Sequence, residues 1–417
     1  MKMFSYTGIS CCFCVFITIT DIIYSCMVVA SYSSATSLYD MISSSRYIYV
    51  RPVIDQSKPI QISMAFYLSK LRKFDEISGE LGLTAYFEIR WVDETLFWDP
   101  EDYGNITDIL LPHGIIWKPS FVSGNPFDDF SVIYSDETLI RLQYNGSVTW
   151  KPADTFGISC EADVSKYPFD EQTCNFPIVP WNYLPRELTI LPLADHVNMD
   201  RYVPHNVWEI KGTAVWKPYV EQQEVLVFKF NLKRNSGFYL LNLILPICVL
   251  GILNLFVFLL PPESGERVGY SITVLLSIVV FLTITSNSLP GTSEPRMPTI
   301  FLLLTGYVVI SVLIVISVII GLRFYLRDQE IAVSVYWESL ILFYRIILGR
   351  RDRRRINIGE NVQTVNINHT ENGQDKETVT WKTVGETTDA IFGLVFSLML
   401  ILVNTLYFVD VKGHSVF

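Results

Sequence analysis

The sequence predicts an extracellular all-β sandwich followed by an all-α bundle of four transmembrane helices. Three observations support this fold class. Half of the 417 residues are apolar. Short segments of alternating polar and apolar residues fill the first half of the chain, and four long uncharged stretches fill the second. The net charge of −10 and the absence of basic runs interleaved with aromatic residues argue against a nucleic-acid partner.

The first 30 residues have the features of a secretory signal peptide. Lys2 precedes an apolar run, and small residues follow at Ala30 and Ala35, near which we expect cleavage. Asp21 interrupts the run, which leaves the limits of the signal open. The alternative is a fifth membrane span, which the short uninterrupted apolar part disfavours.

Three of the seven cysteines follow this segment, namely Cys160, Cys174 and Cys248. Cys248 lies within a stretch of hydrocarbon length, so Cys160 and Cys174 remain as the disulfide pair of an exported domain. The sequons at Asn105 and Asn145 predict glycosylation and agree with export.

Residues 31–236 carry the pattern of short strands. Leu83–Trp91 alternates between apolar and polar residues, and residues 225–233 repeat that period of two. The pair Asn145-Gly146 is typical of a tight hairpin turn. Frequent turn residues between such strands indicate a β-sandwich.

Four uncharged stretches are long enough to cross about 30 Å of hydrocarbon. They are Phe238–Leu260, Val268–Leu289, Met297–Leu322 and Ala390–Val409. We therefore assign the first three spans to residues 237–322, a cytoplasmic segment to 323–388, and the fourth span with a short extracellular tail to 389–417. Eight arginines fall in the cytoplasmic segment, as the positive-inside rule requires: Arg323, Arg327, Arg345, Arg350, Arg351, Arg353, Arg354 and Arg355.

Two features are predicted inside the cytoplasmic segment. Glu330–Leu348 is an expected amphipathic helix along the membrane, and Asn357–Asp375 is an expected flexible linker.

The second span differs from its neighbours because it carries many hydroxyl side chains, which suit water or packed helices better than lipid. Steps of four and three residues from Glu266 define one stripe along the helix. We call this set the stripe: Glu266, Gly269, Thr273, Leu276, Val280, Thr283 and Asn287. Repeated around an axis, it would form a carboxylate ring, a hydroxyl ring and apolar girdles that gate by dewetting. The alternative is a helix packed in a bundle without a pore.

The segment from Cys160 to Cys174, with Tyr167-Pro168-Phe169-Asp170 at its tip, resembles the signature loop of the pentameric Cys-loop receptors. Pro246 and the run Gly265-Glu266-Arg267 resemble the nicotinic branch. This resemblance implies five identical or related subunits in the plasma membrane around a cation-conducting pore, in contact with membrane lipid. Glu266 directly before Arg267 implies cation selectivity, and Glu263 adds an inner charge. Asn287 replaces the acidic residue common at the outer end.

The resemblance also implies a ligand site between subunits, lined by aromatic side chains that attract an organic cation. Its matched positions are Tyr86, Thr149, Lys151, Trp181, Trp216 and Tyr219. Ordinary packing of Trp181 and Tyr86 in the sandwich is the alternative. Two departures concern acetylcholine: Gly124 stands where acetylcholine-binding subunits have tyrosine, and the adjacent cysteine pair near Trp216 is missing.

A larger box with fewer aromatic walls suits less polar organic ligands. The pattern is similar to the cephalopod chemotactile receptors, a divergent nicotinic group that senses poorly soluble or bitter molecules. An accessory subunit of a mixed pentamer and an acetylcholine-gated channel are the alternatives.

We expect coupling between binding and gating at positions that match the family's junction: Glu76, Ile77, Phe169, Asp170, Arg234 and Pro298. An ion pair between Arg234 and Glu76 is the specific expectation. Motifs of hydrolases, metalloproteases and phosphate-binding enzymes are missing from the sequence, which predicts neither an enzyme nor a cofactor or metal site.

Overall fold

A computed structural model describes most of the chain. The described residues are 32–44, 48–112, 114–130, 132–133, 138–220, 223–291, 297–328, 331–347 and 380–413. They form two compact units, Met1–Asp163 with Asp170–Asn235, and Val164–Phe169 with Ser236–Phe417. The predicted signal peptide and cytoplasmic linker lie outside the described residues.

The strands described in the first unit form two sheets and a short ribbon. Its strands are β1 (Ile60–Asp75), β2 (Glu80–Val92), β3 (Asp108–Leu111), β4 (Phe121–Ser123), β5 (Ile140–Gln143), β6 (Ser147–Trp150), β7 (Ala153–Ser159), β8 (Glu171–Pro180), β9 (Leu188–Pro192), β10 (Trp208–Trp216), β11 (Tyr219–Val220), β12 (Gln223–Glu224) and β13 (Leu226–Arg234). One sheet has the order β3-β5-β6-β2-β1-β9, with β7 also paired to β2. The other has the order β10-β13-β8-β4, and β11 pairs with β12.

Phenylalanines from both sheets form the core between them. Phe66 of β1 lies 4.9 Å from Phe87 of β2, 5.6 Å from Phe176 of β8 and 5.3 Å from Phe228 of β13, measured between ring centroids. All four side chains are buried. Aromatic burial across two facing sheets is the main stabilising contact of a sandwich, and the predicted all-β fold is confirmed.

The predicted hairpin at Asn145-Gly146 joins β5 to β6. Gly146 has a φ of +81°, and a Cβ there would lie 2.4 Å from the carbonyl oxygen of Asp93. Only glycine meets both constraints, so the pair specifies this turn.

A helix over residues 32–43 precedes the sandwich. From the sequence these residues were assigned to the sandwich, and this helix was not predicted. Leu38 and Ile42 are its fully buried residues, and their spacing of four places them on one helical face. Two apolar positions are too few for periodicity to predict a helix.

Among the described residues of the second unit, four helices are long and apolar enough to cross a membrane. They are the first span (Gly237–Leu259), second span (Arg267–Asn287), third span (Thr299–Tyr325) and fourth span (Trp381–Gly413). The first span widens into a π-helical turn at Leu240–Ile244, which ends two residues before Pro246. Proline lacks an N–H and clashes with the carbonyl four residues earlier, so the helix widens there.

The fourth span begins at Trp381 rather than at the predicted Ala390. Residues 381–388, which the sequence places in the cytoplasmic segment, thus continue the helix of the fourth span, and their cytoplasmic location stays a prediction. Lys382, Glu386 and Asp389 lower the hydropathy of this first part, although packing of Trp381 and Val384 keeps it helical. Hydropathy detects contact with hydrocarbon, not the end of a helix.

The amphipathic helix spans Val335–Ile347, close to its predicted limits. Its Trp337 contacts Phe324 of the third span at 4.8 Å between ring centroids. Phe324 in turn stacks on Trp381 of the fourth span. These three rings anchor the helix to the ends of two spans.

Candidate functional site

Three of the predicted ligand-binding residues lie on one face of the larger sheet. Tyr86 belongs to β2, Thr149 to β6, and Lys151 directly follows β6. Because Phe87 points into the core, its neighbour Tyr86 points to the opposite, outward face. Tyr86 stacks on Tyr67 of β1, with ring centroids 4.7 Å apart and planes inclined by 6°. The pairing of β1, β2 and β6 thus builds a polar and aromatic face, which we call the tyrosine face.

The other predicted ligand-binding residues belong to the end of the smaller sheet. Trp181 directly follows β8, Gly124 follows β4, and Trp216 ends β10. Trp181 is 43% exposed and stacks on Phe130, with centroids 6.2 Å apart. Tyr219 is exposed on the β11–β12 ribbon. We call this group the tryptophan face. Phe130 was missed by the sequence analysis, because one aromatic residue in a loop carries no pattern.

Gly124 has little room for a side chain. A Cβ at this position would lie 3.0 Å from Cγ of Pro177 and 3.2 Å from Cγ2 of Val179, and its N–H already donates to the Pro177 carbonyl. Side chains of β8 therefore occupy the space next to Gly124 where a side chain would begin.

The tryptophan and tyrosine faces lie on different sheets. The structure thus gathers the predicted ligand-binding residues into two groups and does not bring them into one box within a single chain.

Glu224 anchors the ribbon that lacks the cysteine pair. Its carboxylate accepts a hydrogen bond from Lys217 at 2.9 Å and from the backbone N–H of Ile190 at 3.2 Å. These contacts tie the ribbon to β9. Neither contact was predicted: Ile190 lies 34 residues from Glu224 in sequence, and no local pattern marks the pair of Lys217 and Glu224.

The stripe of the second span is exposed along its whole length in the single chain. Leu276 is 61% and Val280 48% exposed. The opposite side of the helix is buried in the bundle through Arg267, Ser271, Val274, Ile278 and Thr285. Two of the hydroxyls that suggested an aqueous environment, Ser271 and Thr285, therefore pack inside the subunit.

The two acidic residues before the second span differ in their partners. Glu263 accepts hydrogen bonds from the Tyr325 hydroxyl at 2.5 Å and from Lys382 at 3.0 Å. These two bonds lower the pKa of Glu263, and the Lys382 charge offsets its own. Glu266 is exposed and is the N-cap residue of the second span, where its carbonyl accepts a hydrogen bond from the Tyr270 N–H.

The predicted ion pair between Arg234 and Glu76 is present, with Nη1 and Oε1 2.7 Å apart. Arg234 also donates to both carboxylate oxygens of Asp170, at 2.7 and 3.0 Å, and stacks over Trp208. Gln172 donates to Asp170 at 2.6 Å. Glu76 was the predicted partner of Arg234, whereas the contact of Arg234 with the buried Asp170 was not predicted.

The remaining coupling residues are distributed between the two units. Ile77 is exposed in the first unit, and Phe169 belongs to the second. Pro298 precedes the third span, whose first residue, Thr299, donates its N–H and hydroxyl to the Ser165 carbonyl at 3.0 and 3.1 Å.

The other predicted modifications concern the first unit. Cys160 and Cys174 form the predicted disulfide. Asn105 and Asn145 are both exposed in turns, and their glycosylation stays a prediction.

His205 is expected to make the sandwich less stable at acidic pH. Burial, followed by the nearby Lys70 charge, lowers the pKa of His205, and its Nδ1 accepts the N–H groups of Val207 and Trp208. The unfolded chain therefore takes up this proton first. The contribution to stability is complete above the unfolded pKa of about 6.5 and is lost as the pH falls through the lower folded value.

Thermal unfolding of the purified chain between neutral and acidic pH measures this effect. Asparagine can accept the same N–H bonds without titrating, so His205→Asn should reduce the pH dependence of the melting temperature. An identical pH dependence in both proteins would contradict the role of His205.

Comparisons with known proteins cover both units. The family model for the neurotransmitter-gated ion-channel ligand binding domain matches residues 35–236. The model for the neurotransmitter-gated ion-channel transmembrane region matches residues 243–344. The chain belongs to the neurotransmitter-gated ion channels. This assignment confirms the Cys-loop resemblance, and proteins of this family are not enzymes. It makes the chain a multi-pass plasma-membrane protein with its N-terminal domain outside the cell.

Similar curated proteins come from the nicotinic branch. Acetylcholine receptor subunit alpha-type acr-16 of Caenorhabditis elegans is 31% identical over 307 residues, which are 71% of this chain and 60% of that protein. Subunit alpha-type acr-15 of the same nematode is 32% identical over 300 residues, 70% of this chain and 62% of the relative. Human neuronal acetylcholine receptor subunit alpha-6 is 31% identical over 280 residues, 65% and 56% of the two chains. The matches thus span less than two thirds of these relatives.

Proposed function

We propose that the chain is a subunit of a ligand-gated cation channel that assembles as a pentamer. The observation that carries this proposal is the exposed stripe of the second span, which runs from Glu266 through Leu276 to Asn287. Five copies around an axis would present carboxylates at one end and an apolar constriction in the middle. Carboxylates attract cations, and an apolar girdle closes a pore by dewetting.

The ligand is proposed to bind between subunits, where the tryptophan face of one subunit meets the tyrosine face of the next. Their separation within one chain supports a site shared by two copies. Five-fold closure would produce such head-to-tail contacts.

The proposed ligands are hydrophobic or poorly soluble organic molecules of terpenoid, steroid-like or bitter type, which implies a chemosensory role. Gly124 leaves one wall of the box without an aromatic ring, and the ribbon carries no cysteine pair. Both features weaken recognition of a small organic cation. Burial of apolar area would supply affinity instead.

An accessory subunit of a mixed nicotinic receptor is the second candidate, supported by the same missing cysteine pair. Expression of this chain alone separates the two candidates. Ligand-evoked currents and five-fold particles in electron micrographs are expected for a self-sufficient channel, whereas an accessory subunit would give neither.

Glu266→Ala is expected to reduce the cation-to-anion permeability ratio by about tenfold, equivalent to about 1.4 kcal/mol, because five carboxylates are lost from the pore mouth. Reversal potentials under ion substitution measure the ratio. Glu263→Ala is the matched control, with a smaller expected change since Lys382 already offsets that charge. Equal effects of the two substitutions would contradict the assignment of Glu266.

A further inference from the structure

A buried carboxylate lies within the tyrosine face. Glu88 of β2, two residues after Tyr86, is only 3% exposed. It accepts a hydrogen bond from Nε of Arg90 at 2.7 Å and pairs with Nζ of Lys151 at 3.1 Å. A second guanidinium nitrogen of Arg90 also contacts it. Glu88 therefore holds two cationic side chains beside the predicted ligand-binding tyrosine.

Glu88 remains ionised in this position. Burial by itself raises a carboxyl pKa, but the hydrogen bonds and charges of Arg90 and Lys151 outweigh it, and the pKa of Glu88 is lowered. Two positive charges against one negative charge leave a net charge of +1 on this group. The neighbouring Arg141 is paired with Asp108 and adds none.

The cationic groups are accessible. The side chains of Arg90 and Lys151 are 53% and 54% exposed, so they retain donors for another molecule. Lys151 carries three N–H donors, and Glu88 Oε2 is one acceptor for them. Strand pairing sets Arg90 opposite Thr149 of β6, which adds a hydroxyl to the same surface.

The tyrosine face thus combines two different chemical surfaces. The stacked rings of Tyr67 and Tyr86 offer an apolar platform. Beside it, Lys151 and Arg90 offer donors and a positive potential. Such a surface repels an ammonium group and attracts an oxygen acceptor.

We propose that the tyrosine face selects apolar ligands that carry an oxygen acceptor, a carboxylate above all, and that Lys151 donates to this oxygen. This inference rests on the proposed ligand site between subunits and specifies its chemistry. The apolar body of the ligand would lie on Tyr86, and the acceptor would point to Lys151. Glu88 is the positioning residue that holds Lys151 in place.

Three diterpenoids with one ring system test this selection. Dehydroabietic acid, dehydroabietinol and dehydroabietylamine carry a carboxylate, a hydroxyl and an ammonium group, respectively. We expect binding to the purified full-length chain to weaken in that order, with about tenfold between acid and amine. Currents from expressing cells should follow the same order at positive membrane potential, where an external cation does not block the pore.

Lys151→Met should weaken binding of the acid by about tenfold and leave binding of the amine unchanged or stronger. Lys211→Met is the matched control, because Lys211 is a half-exposed lysine on β10 paired with Glu209 and should alter neither. Glu88→Gln removes the negative charge while keeping an acceptor, so it should weaken binding of the amine further. Glu88→Gln thus tests the effect of the positive charge on the tyrosine face while Lys151 is still present.

Tightest binding of the amine, equal losses of all three compounds in Lys151→Met, or no binding of any compound would each overturn the proposal. Binding in the expected order without currents would support the ligand selection and contradict the channel function. Currents with the reversed order of the three compounds would support the channel function and contradict the ligand selection.

Discussion

Arg234→Leu is expected to destabilise the extracellular sandwich by about 3–5 kcal/mol, because it leaves the buried carboxylate of Asp170 without its cation. Both side chains are 1% exposed, so water cannot replace the lost partner. The substitution also removes the guanidinium that stacks over Trp208. In a domain of this size the melting temperature should fall on the order of 10 °C. Thermal unfolding of the purified chain and surface labelling of cells measure the loss.

Lys233→Leu is the matched control. Lys233 precedes Arg234 on β13 and pairs with Glu171 at 2.9 Å, but both side chains are largely exposed. Exposed pairs contribute only about 0–1 kcal/mol. A comparable destabilisation by both substitutions would contradict the role of burial.

Exchange of Arg234 with Glu76 is not a simple test of their ion pair, because Arg234 also binds Asp170. The exchange would place a glutamate against Asp170, so we expect it not to restore stability or gating. Asp170→Asn combined with Arg234→Leu removes both buried charges and should recover part of the stability.

Arg267→Met is expected to prevent assembly of stable protein, because Asp389 of the fourth span would lose its buried cation. Nη1 of Arg267 donates to Oδ2 of Asp389 at 2.5 Å, and Nε donates to the Leu260 carbonyl at 2.6 Å. Loss of a buried partner costs about 3–5 kcal/mol. Size-exclusion chromatography of detergent extracts measures the yield of assembled protein.

Asp389→Asn should restore part of that yield in the Arg267→Met background, because it removes the uncompensated charge. The matched control is the exposed pair of Lys382 and Glu263. This pair also joins the fourth span to the segment before the second span. Lys382→Met should leave the yield unchanged. A loss of yield in Lys382→Met as large as the loss in Arg267→Met would contradict the prediction.

Much of the fold could be predicted from local patterns. Residues 83–91 alternate because one side of β2 faces the core, and Gly146 is required by its turn. Uncharged length identified the four spans, since helices that cross hydrocarbon must satisfy their own backbone. These patterns involve residues close in sequence, and each can be recognised without knowing which distant residues pack against it.

The site was predicted less completely. Tyr86, Thr149 and Lys151 were proposed as ligand-binding residues through family resemblance, but the contact of Lys151 with Glu88 was not predicted. The alternating pattern assigned Glu88 to the solvent side of β2, where a charged residue is ordinary. Its burial results from Arg90 and Lys151, and Lys151 is brought to it by the pairing of β6 with β2.

The order of sandwich and spans, the disulfide loop and the face of the second span that carries Glu266 and Leu276 are all encoded in local sequence patterns. These properties depend on hydropathy, period and spacing along one segment. Which charged groups lose contact with water depends on the folded arrangement: Arg234 is buried with Asp170, Arg267 with Asp389, and Glu88 against the half-exposed Lys151. Each of these pairs joins segments that are distant in the chain, and the free energy of a charge depends on the solvent and the partner that folding brings to it.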